Sequence, residues 1–295
     1  MLQAVRTLGY RANPYARNLR AAQSRIIAVY FSNPSRNYTS EIQIGVLQRC
    51  NAEGFNAIFE QAGAGPEGLV SLRGEPDLAG VILVAPLTED PALLRRLSDA
   101  GIPFVRLAPV DAAGETGHVS MDDEAAAAEM TDYLISLGHS RIGFIAGPDD
   151  HPQARLREAG YRAALARTGL GPKAALMAQG SFHFDSGLRA AETLLAQDSP
   201  PTAIFASNDD MAAAVLAVAY RKGLRIPQDL SVAGFDDTPL ASVVVPSLTT
   251  IYQPIREMAA QAAGMLFGKA DPDAPASSVL PHRLVVREST AAPKR

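Results

Sequence analysis

Six polar or aromatic side chains stand shortly after segments that read as β-strands, and their types suit the recognition of a small hydroxylated molecule. A planar guanidinium or a carboxylate can pair with two adjacent hydroxyl groups at once. An aromatic face can cover the apolar side of a ring. The six residues are Tyr38, Arg157, Phe182, Asn208, Asp236 and Gln253.

Each of these residues, taken singly, also has an ordinary structural explanation. Asp236 could cap the turn that follows it. Arg157 could form a salt bridge with Glu158 or Asp150, which would contribute little to stability. The position of all six at strand ends, in both halves of the chain, nevertheless favours one shared cleft.

A β-α-β unit shows most clearly how such side chains are positioned. The apolar strand 203–206 leads into a polar cluster at 207–210 and then into a helix-period segment that stops at Gly223. A second short strand, 230–235, ends in the carboxylate pair at 236–237. In doubly wound sheets the carboxyl ends of the strands open into the ligand-binding crevice, so we expect both polar clusters to face it.

Three motifs at natural spacing, SNDDMA, IPQDLSVAGFDD and PSLTTIYQP, resemble the effector domain of the LacI/GalR family of bacterial transcription regulators. The resemblance runs from about Leu8 to about Thr290. It implies an α/β fold with two similar doubly wound parallel-sheet lobes joined by crossovers, which is the type I periplasmic-binding-protein-like architecture. All six residues match ligand positions of the family. There, the equivalents of Arg157 and Asp236 grip hydroxyls or polar ring atoms of a small effector, and the aromatic residues stack on it.

Apolar runs and helical periods alternate along the chain, as a parallel α/β protein requires, because strands buried on both faces read as continuous apolar runs. The predicted strands are 26–31, 55–60, 80–85, 102–107, 141–147, 175–179, 203–206, 230–235 and 280–286. The predicted helices are about 40–53, 91–99, 124–137, 154–168, 185–196, the segment before Gly223, and 255–267.

These elements predict two lobes that follow a short N-terminal segment. Residues 1–24 are expected to hold the remnant of a DNA-binding headpiece and a hinge helix. The N-terminal lobe is expected to contain residues 25–121 and about 252–270. The C-terminal lobe is expected to contain residues 122–251 and about 278–290. The Asp122-Asp123 pair is interpreted as the helix cap at which the second lobe begins.

The segment LGYRANPYARNLR resembles the hinge that joins headpiece and effector domain in the family. In the family the hinge helix folds on operator DNA and wedges a leucine into the minor groove, and Leu19 is the matching position. Asn13 is expected to cap this helix, and Arg17 and Arg20 to contact DNA. Leu19 could otherwise be an ordinary packing residue. The sequence starts inside what should be the third headpiece helix, so it is not expected to read an operator specifically as written.

Composition agrees with a cytoplasmic protein that has a basic arm. The 295 residues are 47% hydrophobic, enough for two cores, but no apolar run has the length of a membrane span. No signal peptide is recognised, and the single cysteine, Cys50, excludes an internal disulfide. The first 40 residues carry six arginines and no acidic residue, whereas the whole chain has a net charge of −4. An arm of this kind suggests contact with a polyanion, although a solvated terminus would have the same composition.

Signals for catalysis are weak. The five histidines show no spacing typical of a zinc site, and no Gly-x-Ser-x-Gly elbow is present. The run from Gly63 to Gly68 formally fits the dinucleotide fingerprint, but Pro66 interrupts it. We therefore expect that the protein is not an enzyme and that it binds neither a cofactor nor a metal ion.

The sequence thus predicts a homodimeric, repressor-type regulator that binds a sugar or sugar derivative between its lobes and couples this to operator DNA. Operator contact would use the hinge and a headpiece that this sequence lacks, and no membrane partner is expected. Replacement of Arg157 or Asp236 by Ala should abolish effector binding and leave the fold intact. The alternative is a periplasmic-type sugar-binding protein for transport, since fold alone does not separate the two.

Overall fold

The computed structural model describes residues 25–62, 78–110, 116–171, 174–267 and 277–294. The predicted headpiece remnant and hinge, with Asn13, Arg17, Leu19 and Arg20, lie outside the described residues. The same holds for the interrupted glycine fingerprint at 63–68.

Strands and helices alternate through most of the described chain. The strands are β1 (Ile26–Phe31), β2 (Asn56–Gln61), β3 (Gly80–Val84), β4 (Phe104–Leu107), β5 (His118–Ser120), β6 (Ile142–Ala146), β7 (Met177–Gln179), β8 (Ala203–Ala206), β9 (Ser231–Ala233), β10 (Thr250–Tyr252), β11 (Ser277–Val279) and β12 (Arg283–Val285). The α-helices are α1 (Arg36–Glu53), α2 (Pro91–Asp99), α3 (Asp123–Ser136), α4 (Pro152–Arg167), α5 (Phe184–Leu195), α6 (Asp209–Arg221), α7 (Pro239–Val243) and α8 (Ile255–Met265). Short 3₁₀ turns occur at Leu87–Glu89 and Ala174–Leu176.

Two parallel sheets organise these elements, as predicted. The larger sheet has the strand order β11-β5-β4-β3-β1-β2, and the smaller has the order β7-β6-β8-β9. In both sheets the chain starts in a central strand and reverses the direction of its crossovers, which is the doubly wound pattern. Central strands such as β3 and β6 are buried along their whole length, because helices cover both of their faces.

Side-chain caps fix where the helices next to the strand ends begin. The Ser35 hydroxyl accepts a hydrogen bond from the backbone N–H of Tyr38 at the start of α1, at 3.2 Å. The side-chain Oδ1 of Asn208 accepts one from the backbone N–H of Met211 in α6, at 3.0 Å. Each cap satisfies a backbone donor that the first helical turn leaves unpaired. The caps therefore determine which side chains face the carboxyl ends of β1 and β8.

The last quarter of the chain links the two sheets. β10 and β12 form a separate antiparallel pair. α8 packs against α1, so closely that a Cβ atom on Gly45 would lie 2.3 Å from the carbonyl oxygen of Arg256. Further on, the backbone N–H of Val232 in β9 donates to the carbonyl oxygen of Ser289, at 2.8 Å. The chain thus passes from the smaller sheet to the larger and back again.

The predicted strand at 280–286 is shorter in the structure, where β12 covers Arg283–Val285 and pairs with β10. A further strand before it, Ser277–Val279, was not predicted, and it extends the larger sheet. The three-residue strands β5 and β10 and the five-residue helix α7 were not predicted either. Segments this short carry too little periodicity to identify. The boundaries of the two lobes stay a prediction.

A close contact between α3 and α4 gives a test of the fold. A Cβ atom on Gly160 would lie 2.1 Å from the carbonyl oxygen of Glu124, so Gly160→Ala should force the helices apart and lower the free energy of unfolding by about 1–3 kcal/mol or more. Gly264→Ala in α8 is the matched control, because its added methyl meets only the flexible Arg49 side chain, at 3.2 Å. The better helix propensity of alanine should make that variant neutral or slightly more stable. Urea unfolding of both variants measures the difference, and equal stabilities would contradict the proposed close packing.

Candidate functional site

A buried arginine forms the centre of the site. Arg157, in α4, is 4% exposed, and each nitrogen of its guanidinium has a partner. Nε donates to Asp123 Oδ1 at 2.8 Å, and Nη1 donates to the Ser207 carbonyl oxygen at 2.7 Å and to Asp236 Oδ1 at 3.3 Å. Nη2 donates to Gln253 Oε1 at 3.3 Å. One cation thus joins two carboxylates, an amide and a strand end.

Aromatic rings surround this guanidinium. It lies over the ring of Phe235, 3.8 Å from the centroid, and 5.8 Å from the centroid of Phe182. The Phe182 ring meets His151 edge to face, with 5.1 Å between centroids. A Cβ atom on Gly147 would lie 2.4 Å from the Phe182 ring, so only glycine fits there. The arrangement presents an apolar ring face beside a polar cluster.

The backbone is strained at two of these positions. Phe182 has φ +59° and Asp236 has φ +111°, although both carry side chains that disfavour positive φ. Asp236 is held by the neighbouring segment: its N–H donates to the Ile251 carbonyl oxygen at 2.9 Å, and Gln253 N–H donates to the Asp236 carbonyl oxygen at 3.2 Å. Strain of this kind is typical of binding sites, where the surroundings impose the geometry.

A cavity lies between the carboxyl ends of the two sheets, and the empty space in and around it, open solvent included, is about 290 Å³. Its walls come from the segments after β1 and β3 on one side and after β6, β7, β8 and β9 on the other. This is the ligand-binding edge of a doubly wound sheet, here contributed by both sheets. The lining residues are Asn33, Ser35, Tyr38, Ala85, His151, Gln153, Arg157, Phe182, Asn208 and Asp236.

The structure brings together the six residues predicted from sequence, with different roles. Five of them line the cavity, and Gln253 lies behind Arg157 as its hydrogen-bond partner. Besides capping α6, Asn208 donates from Nδ2 to the Phe182 carbonyl oxygen at 3.0 Å, so it also positions the phenylalanine. Among the described residues, Arg157 forms no salt bridge with Glu158 or Asp150. Glu158 is paired with Arg162 instead.

Asp123 is a site residue that sequence reasoning missed. The Asp122-Asp123 pair was interpreted only as a helix cap, and Asp122 alone has that role, because its Oδ1 accepts the N–H of Ala125 at 2.9 Å. Asp123 is instead buried and paired with Arg157. A carboxylate that stands next to a cap, in the first turn of a helix, carries no further sequence signal.

Besides Ala85, four polar lining residues were missed: Asn33, Ser35, His151 and Gln153. They stand directly after β1 or at the start of α4, in the same kind of position as the residues that were found. Asn33 Nδ2 lies 3.4 Å from His151 Nε2, and Gln153 Nε2 donates to the Ala108 carbonyl oxygen. Polar residues at every strand end would have been the signal to use.

Several buried polar atoms around the cavity make no hydrogen bond within the described part of the chain. They are His151 Nδ1, Gln153 Oε1, Ser207 Oγ and Gln253 Nε2. Buried polar groups are nearly always hydrogen-bonded, to protein or to water, because an unpaired group is costly. A small ligand with several hydroxyl groups could pair with those that face the cavity.

The carboxylates and the guanidinium determine each other's ionisation. Burial alone would lower the pKa of Arg157, but Asp123 and Asp236 together raise it above its ordinary value, so the guanidinium stays charged. Burial raises the pKa of Asp236 well above its ordinary value, and Arg157 offsets part of this. Burial also raises the pKa of Asp123, and Arg157 again offsets part of this. Burial therefore opposes the ionised form of both carboxyl groups, whereas the charge of Arg157 favours it.

His151 is neutral in this environment. Burial, and after it the nearby charges of Arg157 and Arg155, lower the pKa of the imidazole to about 3. Within the described residues, no group of three or more His, Cys, Asp or Glu side chains is placed to hold a metal ion. In that same part of the chain, no helix is long and apolar enough to cross a membrane.

Known proteins share this architecture over nearly the whole chain. Residues 131–290 match the family model described as a periplasmic binding protein-like domain. The ribose operon repressor of Escherichia coli (strain K12) is 32% identical over 272 residues, which are 89% of this chain and 81% of the repressor. A solved LacI family transcriptional regulator from Enterococcus faecium, with bound ribose, has a TM-score of 0.81 at 26% identity and covers 91% of this chain and 100% of its own. The chain belongs to the LacI family of transcriptional regulators.

A third relative extends the comparison. The solved complex of the transcriptional regulator CelR with cellobiose has a TM-score of 0.80 at 30% identity, and covers 97% of this chain and 88% of that one. Family membership confirms the predicted fold and function class, and it favours regulation over the transport alternative. The relatives are regulators rather than enzymes.

The buried pairs add a cost that the expectation of an intact fold for Arg157→Ala did not include. The variant would leave Asp123 and Asp236 buried without their counter-ion, which should lower the free energy of unfolding by about 3–5 kcal/mol at pH 7. Because the arginine lowers both pKa values, its loss raises them further. The stability of the variant should therefore be greatest below about pH 4 and fall as the pH rises through the raised values. Urea unfolding at pH 5 and pH 8 measures this, and a loss of stability that does not change with pH would contradict it.

Asp209 gives an independent test of burial at the start of α6. Its carboxylate accepts hydrogen bonds from Thr250 Oγ1 at 2.7 Å and from the backbone N–H of Thr238 at 2.8 Å. Burial outweighs these bonds and raises its pKa to about 7, against about 3.9 in an unfolded chain. Its contribution to stability is thus complete below about pH 4 and is lost as the pH rises through about 7. In Asp209→Asn, the free energy of unfolding should change with pH by roughly 2–4 kcal/mol less than in the parent protein. An unchanged pH dependence would refute this role.

Proposed function

We propose that the cavity between the two sheets binds a small sugar or sugar derivative as the effector of this regulator. The observation that carries the proposal is the buried cluster of Arg157, Asp123 and Asp236 beside the rings of Phe182 and Tyr38. Carboxylate and guanidinium groups hold adjacent hydroxyls in pairs, and ring faces cover the apolar side of a pyranose or furanose. The ribose and cellobiose in two solved family members support this class of ligand.

The charges of the side chains around the cavity favour an uncharged sugar as the effector. The single cationic side chain among the lining residues is Arg157, and two carboxylates already neutralise it. Asp210 adds a third carboxylate at the edge of the cavity, hydrogen-bonded to the lining residue Ser35. A phosphate or sugar acid would meet these carboxylates without a free counter-charge, and repulsion between unit charges about 5 Å apart amounts to roughly 3 kcal/mol at an effective dielectric constant of 20. A neutral polyol avoids that cost.

Coupling to DNA follows from the position of the cavity between the two sheets. An effector that contacts both sides stabilises one relative arrangement of them and so biases a two-state element. In a homodimer, that bias would change how the segments before residue 25, with Asn13, Arg17, Leu19 and Arg20, are presented to operator DNA. This arrangement belongs in the cytoplasm, where the operator is, and it needs neither a cofactor nor catalysis. Lobes of residues 25–121 with 252–270, and 122–251 with 278–290, are the units we propose to move.

Matched pairs of sugars test the ligand class. Thermal unfolding should be followed with ribose, glucose and cellobiose, and with ribose 5-phosphate and glucose 6-phosphate as charged counterparts. At a hundred times its Kd, a bound sugar adds about 2.7 kcal/mol, which should raise Tm by several degrees. The phosphorylated counterpart of the best neutral ligand should bind at least about 100-fold more weakly.

Two variants locate the binding in the cavity. Asp236→Asn removes the lining carboxylate and should weaken the sugar effect, whereas Asp132→Asn changes a half-exposed carboxylate that pairs with Arg167 outside the cavity and should leave it unchanged. Sugar binding of unchanged affinity in Asp236→Asn would contradict the site. Equal or tighter binding of a sugar phosphate would contradict the uncharged ligand, and the absence of any stabilising sugar would remove the sugar class altogether.

A further inference from the structure

A carboxylate on one side of the cavity is held by two donors from the other side. Asp210, in the first turn of α6, accepts a hydrogen bond from Ser35 Oγ at 2.6 Å and another from Asn37 Nδ2 at 2.6 Å. Asp210 follows a strand of the smaller sheet, and Ser35 and Asn37 follow a strand of the larger one. No hydrogen bond from Asp210 to its own sheet is found in the described part of the chain.

Ser35 connects this contact to the cavity. Its hydroxyl donates to Asp210 and also accepts the Tyr38 N–H as the cap of α1. Its own N–H donates to Asn33 Oδ1 at 2.9 Å. Asn33, Ser35 and Tyr38 all line the cavity. The position of Asp210 is therefore coupled to the cavity wall that belongs to the larger sheet.

Hydrogen bonds to an ionised carboxylate are short, directional and stronger than neutral ones. These two can form only while the starts of α1 and α6 are in contact. When the sheets move apart, water would take over the carboxylate, and nothing in either helix would be disrupted. The interaction therefore acts on the equilibrium between closed and open arrangements rather than on folding.

We propose that Asp210 is a latch that holds the two sides of the cavity closed, and that effector affinity depends on it through Ser35 and Asn37. The effect on affinity rests on the proposed function, but the effect on closure does not. If only the closed arrangement retains the effector, the apparent Kd rises in proportion to the loss of that population. Asp210 is thus a positioning residue, which needs no contact with the ligand.

The closure is tested first, without any ligand. Spin labels would be attached at Ser40→Cys in α1 and Arg189→Cys in α5, both exposed positions, while the native Cys50 is buried and does not compete. An excess of unlabelled protein restricts the signal to distances within one chain. We expect Asp210→Ala to shift the distance distribution away from that of the parent, toward open arrangements. The matched control is Asp185→Ala, which removes an exposed carboxylate from the first turn of α5.

The effect on affinity is tested with whichever neutral sugar stabilises the parent protein. Asp210→Ala and Asn37→Ala should each raise Kd roughly tenfold, mainly through faster dissociation. The Kd of the double variant should be no higher than that of the more affected single variant, because both substitutions remove the same contact. The Tm of the ligand-free protein should fall by no more than about 4 °C, because the open arrangement stays folded. A larger fall would identify Asp210 as a structural residue rather than a latch.

The outcomes separate the two proposals. If the distance distribution of Asp210→Ala is identical to that of the parent, the latch proposal is overturned, regardless of which sugar binds. A changed distribution with additive effects, or no effects, on Kd would overturn its role in affinity. If no sugar stabilises the protein, the proposed effector class fails, while the distance measurement still decides the closure.

Discussion

The buried charge of Arg157 is the constraint on which the rest of the site depends. A guanidinium removed from water is tolerated only where opposite charges and hydrogen-bond acceptors surround it. Asp123, Asp236, the Ser207 carbonyl and Gln253 supply these partners. They come from α3, from the ends of β8 and β9, and from the segment after β10. The smaller sheet and the crossover are therefore held in one arrangement around a single cation.

The same cluster gives the cavity a fixed arrangement of charged and aromatic groups. The carboxylates face a fixed positive charge, and the nearby imidazole of His151 is kept neutral by burial. The strained backbones at Phe182 and Asp236 aim one ring and one carboxylate into the cavity, and Gly147 leaves room for the ring. Preorganised groups of this kind lower the cost of ordering a ligand.

The fold was largely predictable because its signals are local. Buried parallel strands read as continuous apolar runs, and strand ends are marked by polar clusters, so the predicted helix and strand positions agree with the structure within a few residues in most places. The failures have one physical cause. β5, β10 and β11 have three residues each and exist because neighbouring strands pair with them, which no local pattern records.

By itself, the sequence determined the alternation of elements, the family resemblance and five of the residues that line the cavity. Each of these depends on residue type and on spacing along the chain. Only the tertiary structure decided that Asp123 is the principal partner of Arg157, that Gln253 lies behind the guanidinium, and that Asp210 reaches Ser35 across the cavity. These partners are 34, 96 and 175 positions apart in the chain. Contacts over such separations are set by the packing of the two sheets, because burial makes charged and polar groups find one another wherever they lie in the chain.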